Sequence, residues 1–418
     1  MPVNKLAPAL SAEELAERFA DIAPPLGVDA ARAEADRCLF CYDAPCTLGC
    51  PTHIDVPAFI KKISTNNLRG SARVILDANP FGHSCARACP VEVLCEGACV
   101  LNARGEKPIN IALLQRHATD YVLEHKIRLF EPGPDNGKRV AIVGAGPAGL
   151  SCARELRRMG YQIVCFEAKD HPGGLNTYGI AEYKMTPDTA LAEVADIVNL
   201  GVTLRTGTAV GRDIPFEDLL EDYDAVFIGV GLEGARKLGI PNEEVDGVID
   251  ALTFIADLKM RPYTASRVGR RVVVVGAGNT AIDAVTQAKR LGAEQAMIVY
   301  RRGEADMPCY DYEYQLAQND GCQFRFHARP LAVVGESHVE GLEVETSDGS
   351  EVIPCDMIIR AIGQHQLPGF EIPDDHPKVY LGGDFSSGGA EIVNAAAEGM
   401  AAARKIDEML EGGSTAGL

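Results

Sequence analysis

Two stretches constrain the fold more than anything else in this chain: RVAIVGAGPAGL (residues 139–150) and RRVVVVGAGNTAIDAVTQAKRLG (residues 270–292). Each is a β-branched apolar run that breaks into glycines and continues as a helical pattern. A run that apolar is buried on both faces, which is the situation of a strand in a parallel sheet. In the first motif Gly144 permits a tight turn, Gly146 lets backbone approach a pyrophosphate, and Gly149 lets helix and strand pack closely. In the second, Gly276 and Gly278 repeat the pattern and Ala281 takes the third place, a tolerated variant. Both are followed by a second strand, QIVCFE (162–167) and AMIVYRR (296–302). Two βαβ units on one chain predict two dinucleotide-binding domains of Rossmann type, with phosphates facing each helix N-terminus.

The residues around the turns separate the two sites. Glu167 ends the second strand of the first unit, where a carboxylate accepts hydrogen bonds from ribose hydroxyls. Ala145, Pro147 and Ala148 inside the motif, and Gly173-Gly174-Leu175 after it, favour FAD. Val210 joins that set. Near the end of the chain, VYLGGDFSSGGAEIVNAAAEGMAAARKI reads as a strand, a turn and a small-residue helix that returns to complete the first domain, with Gly383 and Asp384 at the flavin. In the second unit Asn279 and Thr280 open the helix, and Arg301 and Arg302 stand where the acid would be. Guanidinium groups suit a 2′-phosphate, so this pair points to NADP. The plainer alternative is an arginine that stacks on adenine or faces solvent. DAVFIGVG (224–231) and MIIRAIG (357–363) read as closing strands, the latter placing Ala361 and Gly363 at NAD(P). The domains expected are 135–250 with 364–418 for FAD, and 251–363, inserted between them, for NAD(P).

Residues 1–134 read as helical, from SAEELAERF through VPAFIKKIS to NIALLQRHATDYVLEHKI, and 131–139 as a Pro/Gly/Asp/Asn linker. Of thirteen cysteines, eight lie between residues 38 and 99. They form Cys38-x2-Cys41-x4-Cys46-x3-Cys50-Pro51 and Cys85-x3-Cys89-Pro90-x4-Cys95-x3-Cys99. A large chain with clustered cysteines and no secretion signal reads as metal-binding. Thiolates suit iron–sulfur clusters, and a Cys-Pro at the end of a run often ligates the other cluster of a pair. Two structural zinc sites are the rival reading. Iron is favoured because the second run lacks C-x2-C and because a flavin site needs a one-electron outlet. Cys152 and Cys165, by contrast, read as small buried side chains. His53 reads as a surface or capping residue. Lys184, in NTYGIAEYKM, reads as a partner for an FAD phosphate, and no chemistry is assigned to Tyr310, Tyr312 and Tyr314.

The formal net charge of −19 argues against nucleic acid or anionic lipid as a partner. No apolar run approaches the ~20 residues of a membrane helix, and a cytoplasmic protein is expected.

On CLFCYDAPCTLGCPTHIDVPAFI, GGLNTYGIAEYKM and VYRRGEADMP, over about residues 10–410, the chain resembles the flavin and iron–sulfur subunits of bacterial dihydropyrimidine dehydrogenases. The same architecture is similar to the N-terminal half of the eukaryotic single-chain enzyme and to the small subunit of glutamate synthase. The resemblance implies an α/β fold with an N-terminal α-helical domain holding two [4Fe–4S] clusters, FAD and NAD(P)H in two Rossmann-like domains, and a partner subunit. It implies crossed ligand sets: Cys38, Cys41, Cys46 and Cys99 for one cluster, and Cys50, Cys89, Cys95 and Gln115 for the other. Cys85 is then a bystander. The alternative keeps Cys85 as the fourth ligand and makes Gln115 an ordinary helix residue. Pro308 stands where NADP-using members carry a further base, and the bacterial subunits are NAD-linked despite the arginine pair, which shifts the expectation to NADH. Lys184 stands where the single-chain enzyme has arginine.

No catalytic acid–base residue is assigned, because hydride transfer between cofactors needs none. The three regions leave no stretch for an FMN barrel that reduces uracil or thymine. An FMN- and iron–sulfur-containing catalytic subunit, assembled with this chain as a hetero-oligomer of heterotetramer type, is therefore expected. The alternatives are a glutamate synthase small subunit, a general NAD(P)H:acceptor oxidoreductase, and a non-catalytic adaptor holding zinc.

Overall fold

A computed structural model describes residues 5–367 and 376–412. The sequence's two apolar β-branched runs each become the middle strand of a five-stranded parallel sheet. Around Arg139–Val143 the strand order is Val379–Leu381, Ala225–Ile228, Arg139–Val143, Gln162–Phe166, Thr203–Arg205. Around Arg271–Val275 it is Val248–Asp250, Met357–Arg360, Arg271–Val275, Gln295–Val299, Gln323–Arg325. The closing strands read from DAVFIGVG and MIIRAIG pair directly with the glycine-motif strands, and the late strand Val379–Leu381 joins the first sheet. The architecture is the α/β fold expected, with a helical cysteine-bearing region and one nucleotide-binding sheet inserted within the other.

The chain forms two compact units. One comprises residues 23–177, 188–232, 366–367 and 376–412, and the other comprises residues 5–22, 178–187 and 233–365. In the first, the cysteine region and the sheet share one apolar core, in which Phe59, Ile60, Ile75 and Leu114 join Ile142, Leu150 and Leu156. Arg154 ties the two further: its guanidinium donates to the Leu76 carbonyl at 2.6 Å and stacks over the Phe130 ring at 4.4 Å.

The second unit takes in two segments that lie far off in sequence. Residues 5–22, grouped by sequence with the cysteine region, fold onto it instead. Ala7 N–H donates to Val268 C=O, Leu15 and Phe19 are buried in its core, and Phe19 stacks on Tyr263 at 4.7 Å. The reason is that helix Ala12–Arg18, capped by a Ser11–Glu14 box, has an apolar face and no other cover for it. The unit begins at Glu233 rather than 251, because Val248–Asp250 is an edge strand of its sheet. It also carries a three-stranded antiparallel ribbon, Arg329–Val334, Gly341–Thr346 and Gly349–Pro354, that the sequence reading did not pick out. Its signal was Asp348-Gly349, a hairpin dipeptide. No helix among the described residues is long and apolar enough to cross a membrane.

The helix Ile392–Gly412 packs along Pro147–Arg158, and small residues make the close approach possible. A Cβ on Gly399 would stand 2.1 Å from the Ala148 carbonyl oxygen. Backbone cannot yield as a flexible side chain can. Gly399→Ala is expected to lower stability by roughly 1–3 kcal/mol, read as a fall in Tm; an unchanged Tm would mean that these helices re-seat freely.

Candidate functional site

The first glycine turn is held open at its front and closed behind. A Cβ on Gly144 (φ +97°) would lie 2.5 Å from the Gly229 carbonyl oxygen, and one on Gly149 would lie 1.9 Å from that of Gly144. A Cβ on Gly146 would meet nothing nearer than the Gly174 α-carbon, 3.8 Å away. The helix Pro147–Arg158 begins with no side-chain cap, so its first N–H groups face that opening unpaired by a side chain. Glu167 is anchored there: its Oε2 accepts from Ala145 N–H and its Oε1 from Lys169 N–H, both at 2.9 Å. Gly173 N–H donates to Ala145 C=O at 2.7 Å, which draws Gly174 and Leu175 to the turn. Gly383 arrives from the far end of the chain, where a Cβ would meet that of Ala148 at 2.8 Å. Beside it Asp384 accepts from Ala390 N–H at 3.2 Å, and burial pushes its carboxyl up to about 6. Val210 lies in a small apolar cluster with Phe166 and Phe385.

Two residues here were missed by the sequence reading. Asn176 is buried, and neither its Nδ2 nor its Oδ1 has a partner among the described residues. An orphaned amide two residues past Gly174 fits a polar ligand that supplies the missing bonds. Glu398 accepts from Gly383 N–H at 2.6 Å and fixes the late turn. The only signal for Asn176 was its place after Gly-Gly-Leu; Glu398 had none.

The second turn repeats the design. A Cβ on Gly276 (φ +127°) would lie 2.2 Å from the Ala361 carbonyl oxygen, so Ala361 abuts the turn. Gly278 has open space, with Pro308 nearest at 3.9 Å, and helix Asn279–Arg290 also lacks a side-chain cap. Asn279 Oδ1 accepts from Tyr310 N–H at 3.1 Å, while Thr280 is half-buried in the first helical turn. Gly363 C=O accepts from Arg236 N–H at 2.8 Å. Arg301 and Arg302 are exposed at the end of their strand, and no side-chain partner engages either guanidinium among the described residues. Free guanidiniums at that place fit a phosphate or an adenine.

The cysteines gather across the two runs. Cys38, Cys41, Cys46 and Cys99 line one small pocket, otherwise walled by apolar residues such as Leu39, Val56, Ile60 and Ile109. Burial pushes Cys46 up to about 11, with the charges of Cys38 and Cys99 adding to it. Four crowded thiols in an apolar wall favour thiolate only when a cation shares the pocket. Cys50, Cys85, Cys89 and Cys95 lie near one another: a hydrogen bond that Cys89 donates to Cys85 raises Cys89, as do burial and the charges of Cys85, Cys95 and Cys50. Both candidates for the fourth place meet the short helix Gly82–Ala88. Cys85 lies on it and accepts from Asn79 Nδ2 at 3.2 Å, and Gln115 Nε2 donates to the Gly82 carbonyl at 2.6 Å. Cys152 and Cys165 are fully buried in the apolar core, and His53 is exposed.

Lys184 is engaged elsewhere than at an FAD phosphate. It belongs to the inserted unit, where its Nζ donates to Asp283 Oδ1 at 2.7 Å and to Glu313 Oε1. Tyr183 O–H donates to the same Asp283 oxygen at 3.1 Å, and Tyr312 O–H to Glu313 at 2.7 Å. Burial pulls the lysine down, but the two carboxylates outweigh it and hold the ammonium charged. Asp283 rides the helix that starts at the second glycine turn. The lysine thus fastens segment 178–187 behind that turn.

Two family models match the chain. Residues 15–127 match the family model "dihydropyrimidine dehydrogenase domain II, 4Fe-4S cluster", and 138–368 match "pyridine nucleotide-disulphide oxidoreductase". The chain is 34% identical to the glutamate synthase [NADPH] small chain of Escherichia coli, over 94% of each chain. It is 33% identical to the NAD-dependent dihydropyrimidine dehydrogenase subunit PreT of the same organism, over 91% of this chain and 94% of that one. Among solved structures, Mycobacterium tuberculosis FprA in complex with NADPH superposes with a TM-score of 0.58 at 18% identity, covering 68% of this chain and 86% of FprA. Thioredoxin reductase from T. acidophilum gives 0.52 at 20%, covering 66% of this chain and 99% of that one.

Two outcomes are expected. Cys85→Ala keeps the iron content and visible absorbance of the native chain, while Gln115→Ala changes the electron paramagnetic resonance of the reduced protein; loss of about four irons on the cysteine change would make Cys85 the ligand. Lys184→Ala leaves two buried carboxylates unpaired and lowers stability by about 3–5 kcal/mol, measured by denaturant unfolding; an unchanged midpoint would show that solvent reaches the cluster.

Proposed function

The chain belongs to the family that holds the glutamate synthase small chains and the PreT subunits of dihydropyrimidine dehydrogenase, and we propose that it is the electron-input subunit of a two-component pyrimidine reductase. It is an FAD- and iron–sulfur-dependent NAD(P)H oxidoreductase. In this reading it oxidises NAD(P)H with FAD and two [4Fe–4S] clusters as its carriers. It supplies a partner subunit, bearing FMN and further clusters, that reduces uracil or thymine to the 5,6-dihydropyrimidine. The observation that carries it is the gathering of Cys38, Cys41, Cys46 and Cys99 at one pocket, in a unit that also holds the open-fronted first glycine turn.

Bound here, FAD would supply hydride exchange with nicotinamide and single-electron release, and iron–sulfur clusters would supply one-electron carriage. The chain's own residues bind and orient. Gly144, Gly146 and Gly149 shape the turn for a pyrophosphate, with the uncapped helix N-terminus behind it. Glu167, fixed by two backbone N–H groups, keeps lone pairs for ribose hydroxyls. Gly174, Leu175, Val210, Gly383 and Asp384 surround the same turn, and Asn176 offers its unpaired amide. Gly276, Gly278, Asn279 and Thr280 seat the nicotinamide cofactor, with Ala361 and Gly363 beside them. Arg301 and Arg302 are free to meet its adenosine end. The cysteine sets and Gln115 would hold the clusters in the crossed arrangement.

A second reading, a glutamate synthase small subunit, is supported by an equal likeness to that chain and by the unpaired arginines, which suit NADPH. The test is anaerobic reconstitution with FAD, iron and sulfide, followed by NADH or NADPH and ferricyanide as acceptor. Bleaching of the flavin band by at least one nicotinamide is expected. Failure of both overturns the reading. Adding an FMN-type pyrimidine-reducing subunit with uracil, or a glutaminase-bearing large subunit with 2-oxoglutarate and glutamine, then separates the two: turnover with the first is expected, and turnover with the second alone assigns the chain to glutamate synthesis.

A further inference from the structure

Gln115 differs in kind from the thiols that the crossed arrangement groups with it. An amide oxygen is neutral and hard, so beside thiolates it is a weak donor to iron. A glutamine also gives up the freedom of a long side chain when it is fixed. A weak ligand on a long arm needs its position supplied by the residues around it.

The structure shows two holds on this residue. The first is at the side chain. Gly82 C=O can only accept, so it takes the Nε2 end of the amide at 2.6 Å, and no donor among the described residues engages Oε1. The oxygen is thereby the end left for a ligand. The second hold is at the backbone. Helix Ile111–Glu124 begins with N–H groups that have no partner within the helix, and the side chain of its N-cap, Asn110, bonds none of them. A residue from the second cysteine run answers instead: Glu96 Oε1 accepts from Ala112 N–H at 3.0 Å.

The place of Glu96 gives that bond its interest. It follows Cys95 directly, and Ala112 precedes Gln115 by three residues, less than one helical turn. One side chain therefore joins two members of the same proposed ligand set. Its own backbone is held on both sides, since Glu96 N–H donates to Val91 C=O at 2.9 Å and Asn102 Nδ2 donates to Glu96 C=O at 2.8 Å. Glu34 makes a comparable bond, accepting from Asn110 N–H at 2.8 Å, but it stands ahead of Cys38, which belongs to the other set.

We propose that Glu96 is the positioning residue for Gln115, bridging Cys95 to the start of the glutamine's helix and so fixing the amide oxygen relative to Cys50, Cys89 and Cys95. This rests on the iron–sulfur function and the crossed arrangement proposed above. It adds which residue keeps the one member that is not a cysteine in place.

The test uses the full chain reconstituted with FAD, iron and sulfide. Three readouts are followed: the electron paramagnetic resonance of the dithionite-reduced protein, the rate of iron loss to a chelator, and Tm. Glu96→Ala should move the resonance away from the native one and speed the loss of about four irons by about tenfold. Glu96→Asp keeps the charge but shortens the reach, and should act in the same direction; it serves if the alanine variant does not fold. Glu96→Gln keeps an oxygen for Ala112 N–H without the charge, and should match the native chain. In a Gln115→Ala background, Glu96→Ala should change neither the resonance nor the iron loss further. A lower Tm with native resonance and native iron loss would make Glu96 a helix cap alone and overturn the proposal. Equal effects in both backgrounds, or a Glu96→Gln chain that behaves as Glu96→Ala, would overturn it too. Native resonance in Gln115→Ala would remove Gln115 from the ligand set and this inference with it, while flavin reduction by NAD(P)H still stood. A folded native chain that takes up no iron would overturn the iron–sulfur reading itself.

Discussion

Everything in the two nucleotide-binding sheets is arranged around an unsatisfied group: the first N–H donors of the helices Pro147–Arg158 and Asn279–Arg290, which no side chain caps. A helix end left this way needs water or an anionic ligand. Each sheet keeps it accessible by the same means. The closing strand is seated so tightly that only glycine fits the turn, as with Gly144 against Gly229 and Gly276 against Ala361. Strand, turn and helix are thereby fixed to one another, and the space in front of Gly146 and Gly278 stays open.

The differences between the sheets lie in what surrounds that opening. The first is furnished with a tethered carboxylate, Glu167, and with a late turn held by Glu398. The second is backed by a buried ion cluster in which Lys184 joins Asp283 and Glu313. Such a cluster is a weak source of net stability, but it is unforgiving of the loss of one member. It fastens a segment that follows the first glycine-rich stretch onto the second sheet's unit, so the lysine's neighbourhood in sequence misstates its neighbourhood in space.

The cysteine region adds a third constraint. Its helices share a core with the first sheet, and the Arg154–Phe130 stack and the Arg154–Leu76 bond tie them together. A residue on a helix beside the sheet even reaches the short helix that carries Cys85. Glu193 accepts from the His83 and Ser84 N–H groups, the orphan donors at that helix's start. Sequence spacing separates these pieces into domains, yet packing makes them one body.

The sequence by itself determined the two sheets, the glycine turns and the clustering of the thiols, because these depend on local chemistry: β-branched runs, positions that admit only glycine, and closely spaced cysteines. The hairpin at Asp348-Gly349 was equally legible and was passed over. Tertiary structure alone decided how distant residues meet. It put residues 5–22 with the inserted unit, because Leu15 and Phe19 needed cover. It gave Lys184 two carboxylate partners, left Asn176 buried with no partner among the described residues, and brought Cys99 to Cys38, Cys41 and Cys46. None of these follows from spacing, since burial and charge pairing are settled by what the folded chain places nearby, and no local pattern records that.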